Sequence, residues 1–164
     1  MKSTSLNVTF LVGAVTAVML LASAANAATI YGDNNINYLT GTSSADTIYG
    51  FGGADYITGG GGADTIYSGT GDDTAHGDAG NDSVYGQDDS DSLYGDDGGD
   101  QLYAGCNPGC TTGTDALQGG AGNDTLGAEN GKTDILGGGG NTAAGDNCYV
   151  DEALDAWTGC EHLY

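Results

Sequence analysis

GTSSADTIY, GFGGADYIT, GGGGADTIY, SGTGDDTAH, GDAGNDSVY, GQDDSDSLY and GDDGGDQLY follow one another without a gap from Gly41 to Tyr103. Every block has Asp at its sixth position: Asp46, Asp55, Asp64, Asp73, Asp82, Asp91 and Asp100. The eighth position is always apolar, as Ile48, Ile57, Ile66, Ala75, Val84, Leu93 and Leu102. A fixed period of this kind marks units that bury their apolar side only by stacking on neighbours. Glycine at positions one, two and four permits left-handed backbone angles and close approach of chains. A six-residue turn then leads into a three-residue strand. Side chains alternate across a strand, so the eighth residue points inward and the seventh and ninth point outward. Two blocks make one coil of eighteen residues, with a short strand on each side. The expected fold is all-β: a parallel β-roll, a two-sheet solenoid with strands about 4.8 Å apart.

The register extends both ways. Upstream, GDNNINYLT (32–40) is in phase, with Asn37 at position six and Leu39 at position eight. Before it, Thr29-Ile30-Tyr31 matches the strand of a truncated block. Downstream, Ala104 to Gly109 interrupts the array and contains the turn signal Asn107-Pro108-Gly109. The register resumes with CTTGTDALQ (110–118) and GGAGNDTLG (119–127); after the extra Ala128 comes ENGKTDILG (129–137). These blocks add Asp115, Asp124 and Asp134 to the series. From Gly138 to Gly145 the glycines persist, while the Asp and the aliphatic residue are lost. The last stretch, 146–164, differs in composition and is expected to form a cap.

The parity of the blocks sorts the aspartates. Asp46, Asp64, Asp82, Asp100 and Asp124 belong to one edge; Asp55, Asp73, Asp91, Asp115 and Asp134 belong to the other. Charges ~5 Å apart at an effective dielectric of ~20 repel by roughly 3 kcal/mol. One aliphatic side chain per block is a thin core with which to offset that repulsion and the ordering of nine residues. A hard dication bound by oxygen supplies what is missing. Calcium, which accepts six to eight oxygens in tolerant geometry, suits a carbonyl-rich turn better than magnesium.

The glycine-rich pattern G-G-x-G-x-D-x-U-x (U aliphatic), carried by residues 29–137, resembles the hemolysin-type (RTX) calcium-binding repeat family. The resemblance implies several calcium ions, each between a turn and the turn two blocks later. Their ligands would be the position-six carboxylates and backbone carbonyls of the glycine turns. The block of Asp115 departs by beginning Cys110-Thr111-Thr112, that of Asp134 is shifted, and Asp89 stands where a glycine is usual. The tail elements Asp146, Cys148, Val150, Asp151 and then Gly159-Cys160-Glu161 resemble C-terminal segments of some exported repeat proteins. This second resemblance implies a cap closed by Cys148–Cys160. Large members of the family attach such repeats to toxins, proteases or lipases and use an uncleaved C-terminal export signal. This chain is expected to carry an N-terminal leader instead and to leave no room for a catalytic domain, so those activities are not carried over. A relative of a secreted hydrolase or toxin lacking its catalytic part is a remaining alternative.

Composition bounds the partners. The net charge is −21, and Lys132 is the one basic residue after residue 27. Nucleic acid is excluded, since phosphate recognition needs Lys and Arg; cations are favoured. Lys2, the apolar run 8–22 and the Ala25-Asn26-Ala27 site predict a signal peptide over 1–27, cut after Ala27. The repeat domain is then 28–145 and the cap 146–164, in a secreted or extracellular protein with no membrane span after cleavage. Four cysteines in such a chain suggest two disulfides, for which three connectivities exist. The local pairs Cys106–Cys110 and Cys148–Cys160 are preferred; zinc is the alternative, at spacings unlike the usual ones. The ninth position holds Tyr31, Tyr49, Tyr67, Tyr85 and Tyr103, spaced by eighteen. This ladder either supports its sheet by stacking or offers a face to carbohydrate or protein. His76 and His162 have no nucleophile at motif spacing, and no phosphate loop or hydrolase motif occurs, so no enzyme is expected.

Overall fold

The computed structural model of the chain describes residues 6–8, 26–105, 113–128, 133–141, 145–150 and 155–164. Strands follow in chain order as β1 Leu6–Val8, β2 Ala28–Tyr31, β3 Tyr38–Thr40, β4 Thr47–Gly52, β5 Tyr56–Thr58 and β6 Thr65–Thr70. Next come β7 Thr74–His76, β8 Ser83–Asp88, β9 Ser92–Asp97, β10 Gln101–Gly105 and β11 Ala116–Gly122. The series closes with β12 Thr125–Gly127, β13 Ile135–Asn141, β14 Asn147–Tyr149, β15 Ala156–Thr158 and β16 His162–Leu163. The even strands, with β1 at the edge, form a nine-stranded sheet; the odd strands from β3 to β15 form a seven-stranded sheet. All pairings are parallel, so the molecule is the two-sheet β-solenoid that the nine-residue period dictates.

The inward position is the eighth of each block. Ile48, Ile57, Ile66, Ala75, Val84, Leu93 and Leu102 are fully buried, and Leu126 and Leu136 continue the row. Their neighbours at positions seven and nine are half-exposed, as alternation across a strand requires. The core is therefore one aliphatic side chain deep from each sheet.

The coil length is eighteen residues through β10 and then varies. Equivalent aspartates are separated by 24, 19, 22 and 21 residues in the later coils and keep the same ladder. Ala104 and Gly105 still belong to β10, with Gly105 opposite Gln87, so the expected interruption does not begin at Ala104. The turn Asn107-Pro108-Gly109 and the pair Cys106 and Cys110 lie outside the described residues. Ala128 is buried and donates its N–H to the Tyr149 carbonyl, as a position-one residue does. It opens its turn in register rather than standing as an extra residue before it.

The C-terminal cap is built from the solenoid's own last coils. Cys148 stands opposite Leu126 and is buried with it, whereas Trp157, opposite Leu136 on the edge strand β15, stays exposed. The Cys148–Cys160 disulfide, with Cα atoms 5.9 Å apart, ties β14 to the segment between β15 and β16. At the other end, β1 pairs with Ala28–Ile30. Residues 1–5 and 9–25, most of the expected leader, lie outside the described residues. No helix among the described residues is long and apolar enough to cross a membrane.

Candidate metal sites along the two edges

The turns bring the position-six aspartates into two ladders. On one edge the backbone N–H of Asp46 donates to Asp64 Oδ1 at 2.7 Å, Asp64 to Asp82 at 2.8 Å and Asp82 to Asp100 at 2.8 Å. The ladder continues through Asp124 to Asp146. On the other edge Asp55 donates to Asp73, Asp73 to Asp91, Asp91 to Asp115 and Asp115 to Asp134. Each aspartate carbonyl in turn accepts the N–H that opens the strand one coil later, as Asp46 does from Thr65. The grouping by parity expected from the blocks is the one observed.

Each aspartate spends one oxygen on this ladder, and in seven of them the other has no hydrogen-bond donor. Oδ2 of Asp55, Asp64, Asp73, Asp82, Asp91, Asp100 and Asp124 is buried and accepts nothing. A buried carboxylate oxygen without a partner is costly, and native structures rarely keep one unless something else fills the role. The position-one glycines show what these oxygens face. A methyl group placed on Gly59 would lie 2.5 Å from Asp64 Oδ2 and 2.6 Å from the Gly77 carbonyl oxygen. On Gly77 it would lie 2.5 Å from Asp82 Oδ2 and 2.8 Å from the Gly95 oxygen. On Gly86 it would lie 2.5 Å from both Asp91 Oδ2 and the Ala104 oxygen. Gly50, Gly95 and Gly119 face their own aspartate and a carbonyl of the next coil in the same way. A carboxylate oxygen and a carbonyl oxygen thus converge repeatedly on space that only a missing side chain keeps open. That is a hard, oxygen-only donor set, and it fits calcium. Among the described residues no three His, Cys, Asp or Glu side chains converge, so the remaining donors must be carbonyls.

The electrostatics agree. Burial pushes Asp91 up to about 8, Asp55, Asp82 and Asp115 up to about 7, and Asp64, Asp73 and Asp124 up to about 6. The N–H donated from the preceding coil pulls each down, and neighbouring carboxylates push it up further. Asp100 is raised by the same burial.

Two members of the first coils differ. Asp46 accepts from Ala28 N–H on one oxygen and from Thr42 N–H on the other, so it is already satisfied. Asn37 replaces an aspartate, and its Oδ1 accepts the Asp33 N–H while its own N–H donates to Asp55. Its side-chain amide donates to Asp33 Oδ1, so both ends of the Asn37 side chain are hydrogen-bonded within its own turn. Asp89 adopts φ = 79° at its glycine position and holds the turn, its carboxylate accepting from Gly71 N–H. Sequence reasoning missed the last rungs. Asp146 Oδ1 accepts from Asp124, Asp155 from Asp134, and Glu161 Oε2 from Asp146. The period had drifted to 22, 21 and 15 residues there, so register offered no signal.

The tyrosine ladder is present. Tyr31, Tyr49, Tyr67, Tyr85 and Tyr103 stack at 5.0–5.4 Å, with ring planes within 8–11°. Tyr149 and Tyr164 extend the column beyond Gly127 as a second stacked pair, 4.9 Å apart. The inner rings use their faces on one another and offer only edges to a partner. On the opposite sheet His76 stacks on Tyr94 at 4.5 Å and pairs with Asp96 at 2.9 Å.

Fold and edges together define a class: a parallel β-solenoid whose turns gather carboxylate and carbonyl oxygens along two edges. The chain belongs to the RTX calcium-binding nonapeptide repeat family, whose model matches residues 31–66, 67–102 and 111–142. It is accordingly a calcium-binding repeat protein. Comparison with curated proteins gives no match.

Proposed function

We propose that this is an exported protein whose repeat stack folds when calcium fills its two edges, and that it serves outside the cell as a structural or adhesive element without chemistry of its own. The observation that carries the reading is the row of buried Oδ2 atoms with no donor, set against carbonyl oxygens of the next coil. Asp55, Asp73 and Asp91 would hold ions on one edge, and Asp64, Asp82, Asp100 and Asp124 on the other. Asp115 and Asp134 extend the same ladder. Asp46, whose oxygens accept from Ala28 and Thr42, is the weakest ligand of the set. Bound calcium neutralises carboxylates that are otherwise buried beside one another and links successive coils.

Because the ligands come from residues eighteen or more apart, the unfolded chain presents no such site. Calcium then stabilises the fold by mass action. Extracellular modules bind calcium at about 10⁻⁴–10⁻³ M, and a chain folding on export would respond in that range. The A-x-A site after the apolar run and the Cys148–Cys160 disulfide support an oxidising destination. Far-UV circular dichroism of the oxidised protein, titrated with calcium and then chelator, tests this. A cooperative and reversible gain of β signal is expected. A fold unchanged by either reagent would remove the proposal.

A further inference from the structure

A second column runs beside the tyrosine ladder at position two of the same coils. It contains Phe51, Gly69 and Gln87, placed opposite one another by the strand register. All three have φ in the left-handed region: 74° for Phe51, 119° for Gly69 and 81° for Gln87. Glycine is at ease there, whereas a phenylalanine is an outlier. Bulky residues held in such a conformation cluster where a protein binds or switches.

The Phe51 ring is half-exposed and lies within 15° of Tyr31 and 22° of Tyr49. It is therefore aligned with the stack, and its next rung along the stack is Gly69, which has no side chain. That missing rung leaves a concavity of about 170 Å³ lined by Tyr49, Phe51, Tyr67, Thr70, Gln87 and Asp88 around Gly69. The gap is built in. A side chain at Gly69 would collide with the Phe51 backbone, and its φ strains any other residue.

We propose that this notch binds one pyranose ring of a neutral glycan. Phe51 and Gln87 are two coils apart, about 9.6 Å at ordinary strand spacing, which leaves room for one ring between them. Phe51 supplies an apolar ring face that the inner tyrosines cannot, since theirs are spent on one another. Thr70, Gln87 and Asp88 surround the notch with groups able to hydrogen-bond sugar hydroxyls. Asp88, which lines the notch and lies outside the two carboxylate ladders, disfavours sulfated or uronic chains, and this selects an uncharged sugar over an acidic one.

The test uses the intact, calcium-loaded protein and saturation-transfer NMR. The probes are neutral hexasaccharides of glucose, mannose, galactose and N-acetylglucosamine, with a heparin hexasaccharide as the charged control. At least one neutral probe should bind with Kd of about 1 mM or tighter, the scale of a single-ring contact, and the heparin probe should not. Phe51→Gly should weaken binding at least tenfold while leaving the calcium-dependent circular dichroism intact, because glycine accepts this φ. Gln87→Gly should weaken it severalfold with the same unchanged fold. The proposal fails if no neutral probe binds, if the heparin probe binds equally, or if a folded Phe51→Gly protein binds like the parent. The circular dichroism readout keeps a failure of the notch separate from a failure of calcium-driven folding.

Discussion

Acid should partly replace calcium. Asp55, Asp64, Asp73, Asp82, Asp91, Asp115 and Asp124 are raised by burial from an ordinary value of 3.8 to between about 6 and about 8. Near pH 5 and without calcium, each is protonated in the folded stack and ionised in the unfolded chain. Folding there takes up as many as seven protons, one for each of these carboxyls. The stabilisation is fully present below the unfolded value near 4. It is lost as pH rises through about 6 to about 8, the range of the folded values. Each carboxyl contributes at most ~1.4 kcal/mol per pH unit in that window, and water reaching the edges reduces this. Metal-free protein should therefore be more resistant to urea at pH 5 than at pH 8. The calcium midpoint should move to higher concentration on acidification, because protons compete for the same oxygens. Urea titrations followed by circular dichroism in metal-free buffers read the effect. If metal-free stability instead rises between pH 5 and 8, the buried carboxyls are not what opposes the apo fold.

Gly59→Ala should raise the calcium midpoint and destabilise the fold by ~1–3 kcal/mol, since its methyl group meets Asp64 Oδ2 and the Gly77 oxygen well inside contact distance. Gly61→Ala in the same turn should be nearly silent in the same titration, because its nearest neighbour is 3.6 Å away. Ile66→Ala, at a fully buried position in a core one side chain deep, should cost ~2–5 kcal/mol in calcium-saturated urea unfolding. Replacing both Cys148 and Cys160 by Ser should cost ~2–3 kcal/mol, the scale for a loop closed over a sequence separation of 12. Hydrogen exchange should then quicken in β14 and β16 while β4 to β8 stay protected.

The middle of the chain was legible because every block repeats one physical problem. A fixed inward residue, a fixed carboxylate and fixed turn glycines leave two sheets and two edges as the consistent solution, and Ile48 to Leu102 and Asp46 to Asp100 stand accordingly. The end was less legible. There Cys148 takes an inward position, and Asp146, Asp155 and Glu161 take the edge, at separations that no period announces. What holds these residues in line is pairing to the coil before them, a tertiary relation with no local sequence mark. The split between aspartates that keep an unpaired oxygen and Asp46, which does not, was equally hidden. It depends on Thr42 turning its N–H onto the carboxylate, whereas Phe51, Asp78, Gln87 and Asp96 at the same block position take left-handed φ and their aspartates keep an unpaired oxygen. The tyrosine spacing predicted the ladder, but only the ring planes show that its inner faces are occupied.

Crystals grown in calcium and measured for anomalous scattering address the edges most directly. Peaks are expected in two rows, beside Oδ2 of Asp55, Asp73 and Asp91 on one edge and of Asp64, Asp82, Asp100 and Asp124 on the other, with glycine-turn carbonyls completing each shell. An intact solenoid with water or protonated carboxyls along both rows would contradict calcium as the element that joins the coils.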